Sequence, residues 1–260
     1  MSETDPHPVS PARPSGHPRS AAERFVLPEA SPIAPTPQFL EAAESFGLSF
    51  EPGEIDRLGL FLALLLASNQ LINLTAIRDP AEAWMRHIFD ALTLLPLLAE
   101  LPPDALVADV GSGGGLPGIP LAIVLPQLRF VLIESTGKKA EYLRQIVHRL
   151  GLANVRVSET RSEVLARRRS TRPDDFARAS FDVVMARAVG RLGALATLTI
   201  PLARTGGCVL LIKGQKAEEE LAEAAPILRA LRSVHTGTVP TPTGRIVVLE
   251  KIGPTPDEFP

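Results

Sequence analysis

The residues best suited to chemistry in this chain form a glycine-rich stretch that runs from Asp109 to Gly118 and contains five glycines. Residues 105–108, just before it, are apolar, which is typical of a buried strand. Because glycine has no Cβ, such a loop can turn tightly and let a ligand approach the backbone. Pro117 suits the first turn of a helix, and residues 119–124 would supply that helix with an apolar face. The pattern predicts the strand, loop and helix that open a doubly wound sheet.

A carboxylate at the end of the next predicted strand makes a nucleoside-containing ligand the best match for this loop. Glu134 ends the strand at residues 129–134, 23 residues after Gly111, where a ribose diol would lie. Gly113, Gly115 and Gly118 also satisfy the dinucleotide spacing G-x-G-x-x-G. No Gly-Lys-Ser/Thr closes the loop, so the sequence excludes a P-loop.

The acid that precedes the loop helps to choose between nucleoside ligands. Asp109 would repel a pyrophosphate but would attract an ammonium or sulfonium group. In nicotinamide and flavin enzymes the first glycine of the fingerprint follows the strand directly, and here the G-x-G-x-x-G match begins two residues after Gly111. S-adenosylmethionine carries both cations and no phosphate. The charge pattern therefore favours this methyl donor, with a nicotinamide-dependent oxidoreductase as the alternative.

An ordered set of motifs extends from about residue 73 to residue 251. It comprises Asn73-Leu74-Thr75, Arg86-His87-Ile88-Phe89-Asp90, residues 109–121, Ile133-Glu134-Ser135, Lys138-Lys139, Arg161-Ser162-Glu163, Arg187-Ala188 and Lys213-Gly214-Gln215. In these motifs the chain resembles the RsmG (GidB) family, whose members methylate N7 of guanine in 16S ribosomal RNA. Glu134 stands where some members have Asp, and the proline-rich N-terminus is not part of the pattern. A non-catalytic RNA-binding module with a vestigial pocket is a second alternative.

The resemblance implies a cofactor site for S-adenosyl-L-methionine. The loop from Gly111 through Gly113 to Gly115 would surround the methionine half of the cofactor, and Leu116 would close over it. Glu134 would bind the ribose, and Arg187 would lie where donor and acceptor meet. Ser162 and Glu163 would lie beside the adenine, although Thr160 and Glu163 also have the spacing of a simple helix cap. The full set of expected cofactor-binding residues is Gly111, Gly113, Gly115, Leu116, Glu134, Ser162, Glu163 and Arg187.

The implied chemistry requires no catalytic acid or base. N7 of guanine has an unshared electron pair and no proton, so the enzyme has only to align nucleophile, methyl group and sulfur in a dry polar pocket. The residues that follow the fourth predicted strand do not form the Asn/Asp-Pro-Pro-aromatic motif of amino-group methylation. Cys208 begins an apolar strand and is expected to be a core residue rather than a nucleophile. We predict no catalytic residue of this kind and no metal.

The elements that must position these residues alternate along the chain. Apolar strands are predicted at 106–110, 129–134, 155–158, 181–186 and 208–213, and amphipathic helices at 118–125, 138–150, 161–168, 192–202 and 217–231. Segments 233–239 and 245–251 flank a turn like a hairpin. Such alternation predicts an α/β fold with helices on both faces of a mostly parallel sheet. With the terminal hairpin, this agrees with the seven-stranded, Rossmann-like sheet of class I S-adenosylmethionine-dependent methyltransferases.

Composition divides the chain into four parts. Residues 1–37 hold nine of the 25 prolines and are expected to be a disordered tail. Residues 38–102 show helical periodicity and form an N-terminal helical region, residues 103–253 form the methyltransferase domain, and residues 254–260 form a C-terminal tail. The longest apolar run, residues 59–67, is too short to span a bilayer and predicts a buried helix.

The partner implied by the resemblance is 16S ribosomal RNA or the small ribosomal subunit. The net charge of -2 gives no attraction of the whole protein to RNA, so binding would depend on local basic surface. A single cysteine, Cys208, and no secretory signal or membrane anchor lead us to expect a cytoplasmic protein. The candidate RNA contacts are the cations Arg86, Lys138, Arg191, Lys213 and Arg245. Of these, Lys138, Arg191 and Lys213 are predicted near the carboxyl ends of the strands, where ligands enter such sheets.

Overall fold

The computed structural model describes residues 25–169, 176–187 and 190–260. Most of the predicted tail, residues 1–24, lies outside this range, as does Ala188 of the Arg187-Ala188 motif.

A single seven-stranded sheet forms the centre of the described residues. Its strands are β1 (Leu106–Val110), β2 (Arg129–Glu134), β3 (Val155–Glu159), β4 (Phe181–Arg187), β5 (Ala203–Lys213), β6 (Ser233–Thr241) and β7 (Gly244–Lys251). The strand order is β3-β2-β1-β4-β5-β7-β6. Strands β1 to β5 pair in parallel, whereas β7 is antiparallel to both β5 and β6. The predicted α/β class and the terminal hairpin are confirmed, with the parallel part confined to five strands.

Helices cover both faces of this sheet. They are α1 (Pro37–Ser45), α2 (Glu54–Ser68), α3 (Pro80–Ala83), α4 (Asp90–Leu92), α5 (Leu95–Leu98), α6 (Gly118–Val124), α7 (Gly137–Arg149), α8 (Ser162–Ala166), α9 (Leu192–Thr199) and α10 (Ala217–Ala230). A π-helical segment, Trp84–Phe89, joins α3 to α4 without a break. Helix α2 contains the apolar run and is largely buried, as the sequence predicts. Among the helices that the structure describes, none has the length and hydrophobicity needed to cross a bilayer.

Two hydrophobic clusters, one on each face of the sheet, form the core. Alternate residues of β1 face opposite clusters: Val107 packs into one, whereas Leu106 and Ala108 pack into the other. Burial on both faces explains why the central strands are apolar throughout rather than alternating. The first cluster also contains Phe39 of α1 and Phe61 of α2. The N-terminal helices therefore share one hydrophobic core with the sheet.

The expectation of a disordered tail up to residue 37 is wrong for its described part, residues 25–36. The ring of Phe25 packs edge-on against Tyr142 of α7, with 5.9 Å between ring centroids. The side-chain amide of Gln145 accepts a hydrogen bond from the N–H of Leu27 (2.8 Å) and donates one to the carbonyl of Phe25 (2.7 Å). Further along, the N–H of Ile33 donates to the carbonyl of Gly59 (3.2 Å). Apolar residues spaced among the prolines anchor this segment to the core.

Candidate ligand-binding site

The glycine loop lies at the carboxyl end of β1, the edge at which ligands bind in sheets of this type. The N–H groups of Gly111 and Ser112 donate to the carbonyl of Ile133 at the end of β2 (2.9 and 3.2 Å). Gly111 and Gly115 have φ values of +73° and +87°, a backbone conformation that favours glycine. The loop therefore turns back sharply and remains bonded to the neighbouring strand.

Asp109 lies beneath this loop with half of its carboxylate unsatisfied. The side chain is 1% exposed, and its Oδ2 accepts a hydrogen bond from the N–H of Gly118 (3.1 Å). Within the described residues its Oδ1 has no hydrogen-bond partner. Burial raises the pKa of this carboxyl to about 7, against the opposing effects of the Gly118 hydrogen bond and the charge of Arg187. A cation bound beside the loop would stabilise the ionised form of Asp109.

Glu134 connects the loop to the end of β2. Its carboxylate accepts hydrogen bonds from the N–H of Gly113 (3.0 Å) and from the N–H of Thr136 (2.7 Å). The side chain is buried, with 7% exposed. Because each carboxylate oxygen can accept more than one hydrogen bond, Glu134 retains acceptor capacity for a ligand hydroxyl.

A cavity of about 210 Å³ opens beside the loop. Gly111, Ser162 and Glu163 line it together with the apolar side chains of Ile133 and Leu198. The structure thus brings the predicted Ser162-Glu163 segment next to the glycine loop, although the two are about fifty residues apart in sequence. The combination of a polar end and an apolar wall suits a flat heteroaromatic ring.

The alternative interpretation, in which Thr160 caps the helix with Glu163 three residues later, is wrong. The residue that caps the N-terminus of α8 is Arg161, and it makes no side-chain capping bond. The hydroxyl of Thr160 donates to the carbonyl of Arg161 instead (3.4 Å). The hydroxyl of Ser162 donates to the Glu163 carboxylate (3.3 Å), so both side chains are held at the cavity.

Leu116 differs from expectation. The sequence analysis places its side chain over the ligand, but this side chain is only 6% exposed and belongs to the first hydrophobic cluster. Because the loop turns back toward the core here, Leu116 anchors the loop from below.

Arg187 lies in a second cavity, of about 340 Å³, at the carboxyl end of β4. Its Nη1 donates to the carboxylate of Asp90 (3.1 Å) and to the carbonyl of Arg86 (3.1 Å). The other oxygen of Asp90 accepts a hydrogen bond from the hydroxyl of Thr243, in the turn between β6 and β7. The sequence analysis quoted Asp90 within a motif but gave it no role, and it missed Thr243.

His87 lines the same cavity as a neutral residue. Burial, and secondly the charge of Arg187, lower its pKa to about 4. Its Nδ1 lies 3.1 Å from the carbonyl of Arg86, which can only accept, so Nδ1 carries the proton. Its Nε2 then accepts from the hydroxyl of Thr75 (2.7 Å). His87 and Thr75 thus use their hydrogen-bonding groups on each other and on the backbone.

The candidate RNA-binding cations differ in accessibility. Lys138 is exposed at the start of α7. Arg86 and Arg191 have side chains that are 65% and 83% exposed and pair with Glu82 and Glu223.

Two further candidates are less accessible. Lys213 is only 8% exposed, and its ammonium bonds Glu220 (2.7 Å) and the carbonyl of Gly190 (2.5 Å). The expectation that Lys213 contacts RNA is therefore not supported, since its charge is used inside the protein. Arg245 faces Lys213 across the β5–β7 ladder and is half-buried, with a buried Nε that lacks a partner among the described residues.

No group of three or more metal-ligating side chains occurs in the described ranges. This finding concerns only protein residues in those ranges.

Comparison with known proteins identifies relatives of this chain. Residues 54–242 match the family model GidB, described as rRNA small subunit methyltransferase G. A protein of Sorangium cellulosum named Ribosomal RNA small subunit methyltransferase G is 50% identical over 234 residues, which cover 90% of this chain and 95% of that protein. A protein of the same name from Rubrobacter xylanophilus is 40% identical over 207 residues, covering 76% of this chain and 77% of the relative.

Solved structures with the same fold are more distant in sequence. A crystal structure of a Corynebacterium glutamicum protein gives a TM-score of 0.52 at 16% identity, covering 82% of this chain and 96% of that chain. A crystal structure of a mutant of MtNAS gives a TM-score of 0.51 at 15% identity, covering 83% and 82% of the two chains. These similarities support the fold alone.

Proposed function

The chain belongs to the GidB family of rRNA small subunit methyltransferases, and from that premise we propose that it transfers a methyl group from S-adenosyl-L-methionine to N7 of a guanine in 16S ribosomal RNA. The observation that carries the proposal is the 50% identity, over 90% of the chain, to a relative named Ribosomal RNA small subunit methyltransferase G. Neither alternative, a nicotinamide-dependent oxidoreductase or a non-catalytic RNA-binding module, receives support from the relatives.

Features of the glycine loop fit S-adenosylmethionine. A Cβ built on Gly111 would meet no protein atom within 4 Å, so the space in front of this residue is open. Asp109 offers a buried, half-satisfied carboxylate beneath that space, which suits a cationic ligand without phosphate. When bound, S-adenosylmethionine supplies a methyl group activated by a sulfonium centre.

Each remaining site residue has a role that its surroundings support. The backbone of the loop at Gly111, Gly113 and Gly115 would surround the methionine half, and Glu134 would accept from the ribose hydroxyls. Ser162 and Glu163 would hold the adenine end in the smaller cavity. Arg187 lines the larger cavity and acts electrostatically on Asp109, so it would contact both substrates.

The contribution of the chain to the reaction is positioning. The target nitrogen has a free electron pair, so no side chain has to remove a proton. Backbone hydrogen bonds between the loop and β2 fix the donor side of the site. We therefore assign no catalytic acid or base and no metal.

The RNA partner would be bound by cations around the carboxyl edge of the sheet. We retain Arg86, Lys138, Arg191 and Arg245 as candidate contacts and leave out the buried Lys213. A small-subunit RNA substrate places the proposed action in the cytoplasm, on naked RNA or on the subunit.

We also retain the division at about residue 102 between helical region and methyltransferase domain, as two parts that share one core.

Transfer of labelled methyl groups tests the proposed function. Purified protein is incubated with methyl-tritiated S-adenosylmethionine and small-subunit RNA, and label in the RNA is counted. We expect incorporation by the wild-type chain and none by Gly111→Arg, because the arginine side chain would fill the open space in front of the loop. The proposal would be refuted if the wild-type protein incorporated no label at a saturating concentration of the donor, either into naked RNA or into subunits.

A further inference from the structure

The cavity around Asp90 and Arg187 has the chemistry to hold the target base, and we propose that Asp90 binds the Watson–Crick edge of the guanine. This inference rests on the proposed function, because it identifies the pocket that the acceptor base would enter. The base would leave its stack and insert into the cavity, as bases do in enzymes that modify them.

The position of the cavity suits an acceptor pocket. Strands β1 and β4 are parallel neighbours, and Asp109 is in register with Met185. Gly111 and Arg187 each stand two residues further along, so the glycine loop and Arg187 lie side by side at the same edge of the sheet. The charge of Arg187 also lowers the pKa of Asp109, which indicates that the two cavities are electrostatically coupled. A base held beside Arg187 would lie next to the donor site.

The volume of the cavity is adequate for a base. It encloses about 340 Å³, within the range of small-ligand sites. Its lining combines the apolar Ile77 and Ala76 with the polar side chains of Asp90 and Arg187. An apolar surface that a flat ring can contact and convergent polar groups that can bind its edge are the two features that base recognition requires.

The hydrogen-bonding groups of the cavity select among bases. His87 and Thr75 already satisfy each other, and Thr243 donates to Asp90. The groups left to bind an incoming edge are the Asp90 carboxylate as acceptor and, as donors, the exposed Arg86 and the Arg187 guanidinium that is bonded to Asp90. Guanine presents two neighbouring donors, N1–H and the N2 amino group, beside the acceptor O6. The carboxylate can accept from the two donors while the guanidinium donates to O6. Adenine would place the unshared pair of N1 against the carboxylate and would be repelled.

Asp90 is held in one position by partners from separate parts of the chain. Arg187 at the end of β4 bonds one carboxylate oxygen, and Thr243 in the β6–β7 turn bonds the other. The Asp90 side chain is 12% exposed, so it is shielded yet reachable from the cavity. A carboxylate fixed from two sides offers its remaining lone pairs in a set direction, which favours selective binding.

Replacement of the target guanine by inosine tests the proposal. Inosine lacks only the N2 amino group, so it removes one of the two donors to Asp90. The modified position is first mapped in wild-type reactions, and RNA fragments with guanine or inosine there are then compared. We expect the wild-type kcat/KM to fall about tenfold or more with inosine, the size of effect typical of a lost base-specific contact. With Asp90→Asn, we expect a low kcat/KM on guanine RNA and an inosine penalty of less than about threefold.

If Asp90 acted only by positioning Arg187, the same experiment would give a different result. Asp90→Asn would then lower the rates on both RNAs by the same factor and keep the inosine penalty, which would overturn the proposal. Glu82→Gln is the matched control, because Glu82 is an exposed carboxylate in the same helical stretch that does not line the cavity. We expect this variant to retain the wild-type penalty.

If Asp90→Asn does not fold, the comparison of guanine and inosine RNA with the wild-type protein still tests the role of Asp90. Equal methylation of guanine and inosine RNA by the wild-type chain would overturn the role of Asp90 while leaving the proposed function intact. Absence of methylation on guanine RNA would overturn both.

Discussion

At the scale of single residues, the account depends most on Asp109, a buried acid whose environment suits a bound cation. One of its oxygens receives a hydrogen bond from Gly118, and the other has no partner within the described ranges. Burial disfavours the charge of this carboxylate and raises its pKa to about 7, so a large fraction of it remains protonated near neutral pH. This predicts a specific dependence of protein stability on pH.

The contribution of Asp109 to stability should decrease as the pH rises. Its folded pKa of about 7 lies above the ordinary value of 3.8, so its contribution is fully present below about pH 4 and is lost as the pH rises through 7. We expect the free energy of unfolding of the wild-type protein, relative to Asp109→Asn, to decrease steadily between pH 4 and pH 7. Urea denaturation of both proteins across this range measures the difference. A difference that increases with pH would contradict the assignment.

Substitution of Gly111 can show whether an added side chain disturbs ligand binding or only the backbone conformation. Gly111 and Gly151 both have positive φ values (+73° and +63°), and in both cases an added Cβ meets no protein atom within 4 Å. We expect Gly111→Ala and Gly151→Ala to lose similar stability, about 1–2 kcal/mol, from the left-handed conformation. Only Gly111→Ala should also weaken S-adenosylmethionine binding, by about 1–3 kcal/mol, because its methyl group enters the ligand space. Calorimetric titration that gives equal affinities for the two variants would remove Gly111 from the site.

The sequence was sufficient to predict the strand ends and the glycine loop but not the cavity around Asp90 and Arg187. Asp109, Gly111 and Glu134 follow from local spacing, because strand ends and loops are defined by neighbouring residues. Asp90 and Thr243 are 153 residues apart, and their contact depends on how the β6–β7 hairpin lies against α4. No local pattern encodes such a contact. The Arg86-His87-Ile88-Phe89-Asp90 motif was the available signal.

At the scale of elements, the segment at residues 25–36 braces α7, which lies next to the glycine loop. Gln145 of α7 bonds the backbone of this segment at two points, and the hydroxyl of Tyr142 donates to the carbonyl of Gly114 (3.4 Å). The same helix therefore contacts both the N-terminal segment and the loop. The attachment of the N-terminal segment to α7 should therefore depend on the hydrogen bonds of Gln145 rather than on surface ion pairs.

Two substitutions in α7 distinguish these contributions. Gln145→Ala removes both bonds to the segment, at Leu27 and Phe25, and should lower the free energy of unfolding by about 1–3 kcal/mol. Arg149→Ala removes a long, exposed ion pair with Glu29 (3.7 Å) and should change the free energy of unfolding by less than about 0.5 kcal/mol. Urea denaturation measures both. Equal effects would show that the segment is not held by Gln145.

Most elements follow from the sequence, and the exceptions have physical causes. The spans of β1 and β2 agree with prediction, because an apolar run bounded by polar residues defines each strand. Strand β5 begins at Ala203 rather than at residue 208, since its first residues are polar and glycine-rich and pair with β4 through an irregular register. The N-terminal segment was misjudged because proline content outweighed its few apolar anchors.

At the scale of the whole molecule, the proposed RNA substrate would have to bind to local cations, because the net charge is -2. Exposed arginine and lysine side chains lie around the carboxyl edge of the sheet, where both cavities open, and Arg86 and Arg191 are among them. Local rather than global charge would attract phosphates, so binding should weaken as salt increases. The proposed donor site, the proposed acceptor cavity and these cations would then lie together at the carboxyl edge of the sheet.

Identification of the methylated nucleoside is the decisive experiment for the proposed reaction. Small-subunit RNA that has reacted with the protein and labelled S-adenosylmethionine is digested to nucleosides, which are separated and identified by mass spectrometry. We expect all of the label to occur in 7-methylguanosine. Label in an amino-methylated or carbon-methylated base would contradict this expectation, because those reactions require a general base or a nucleophile that we do not assign to this site.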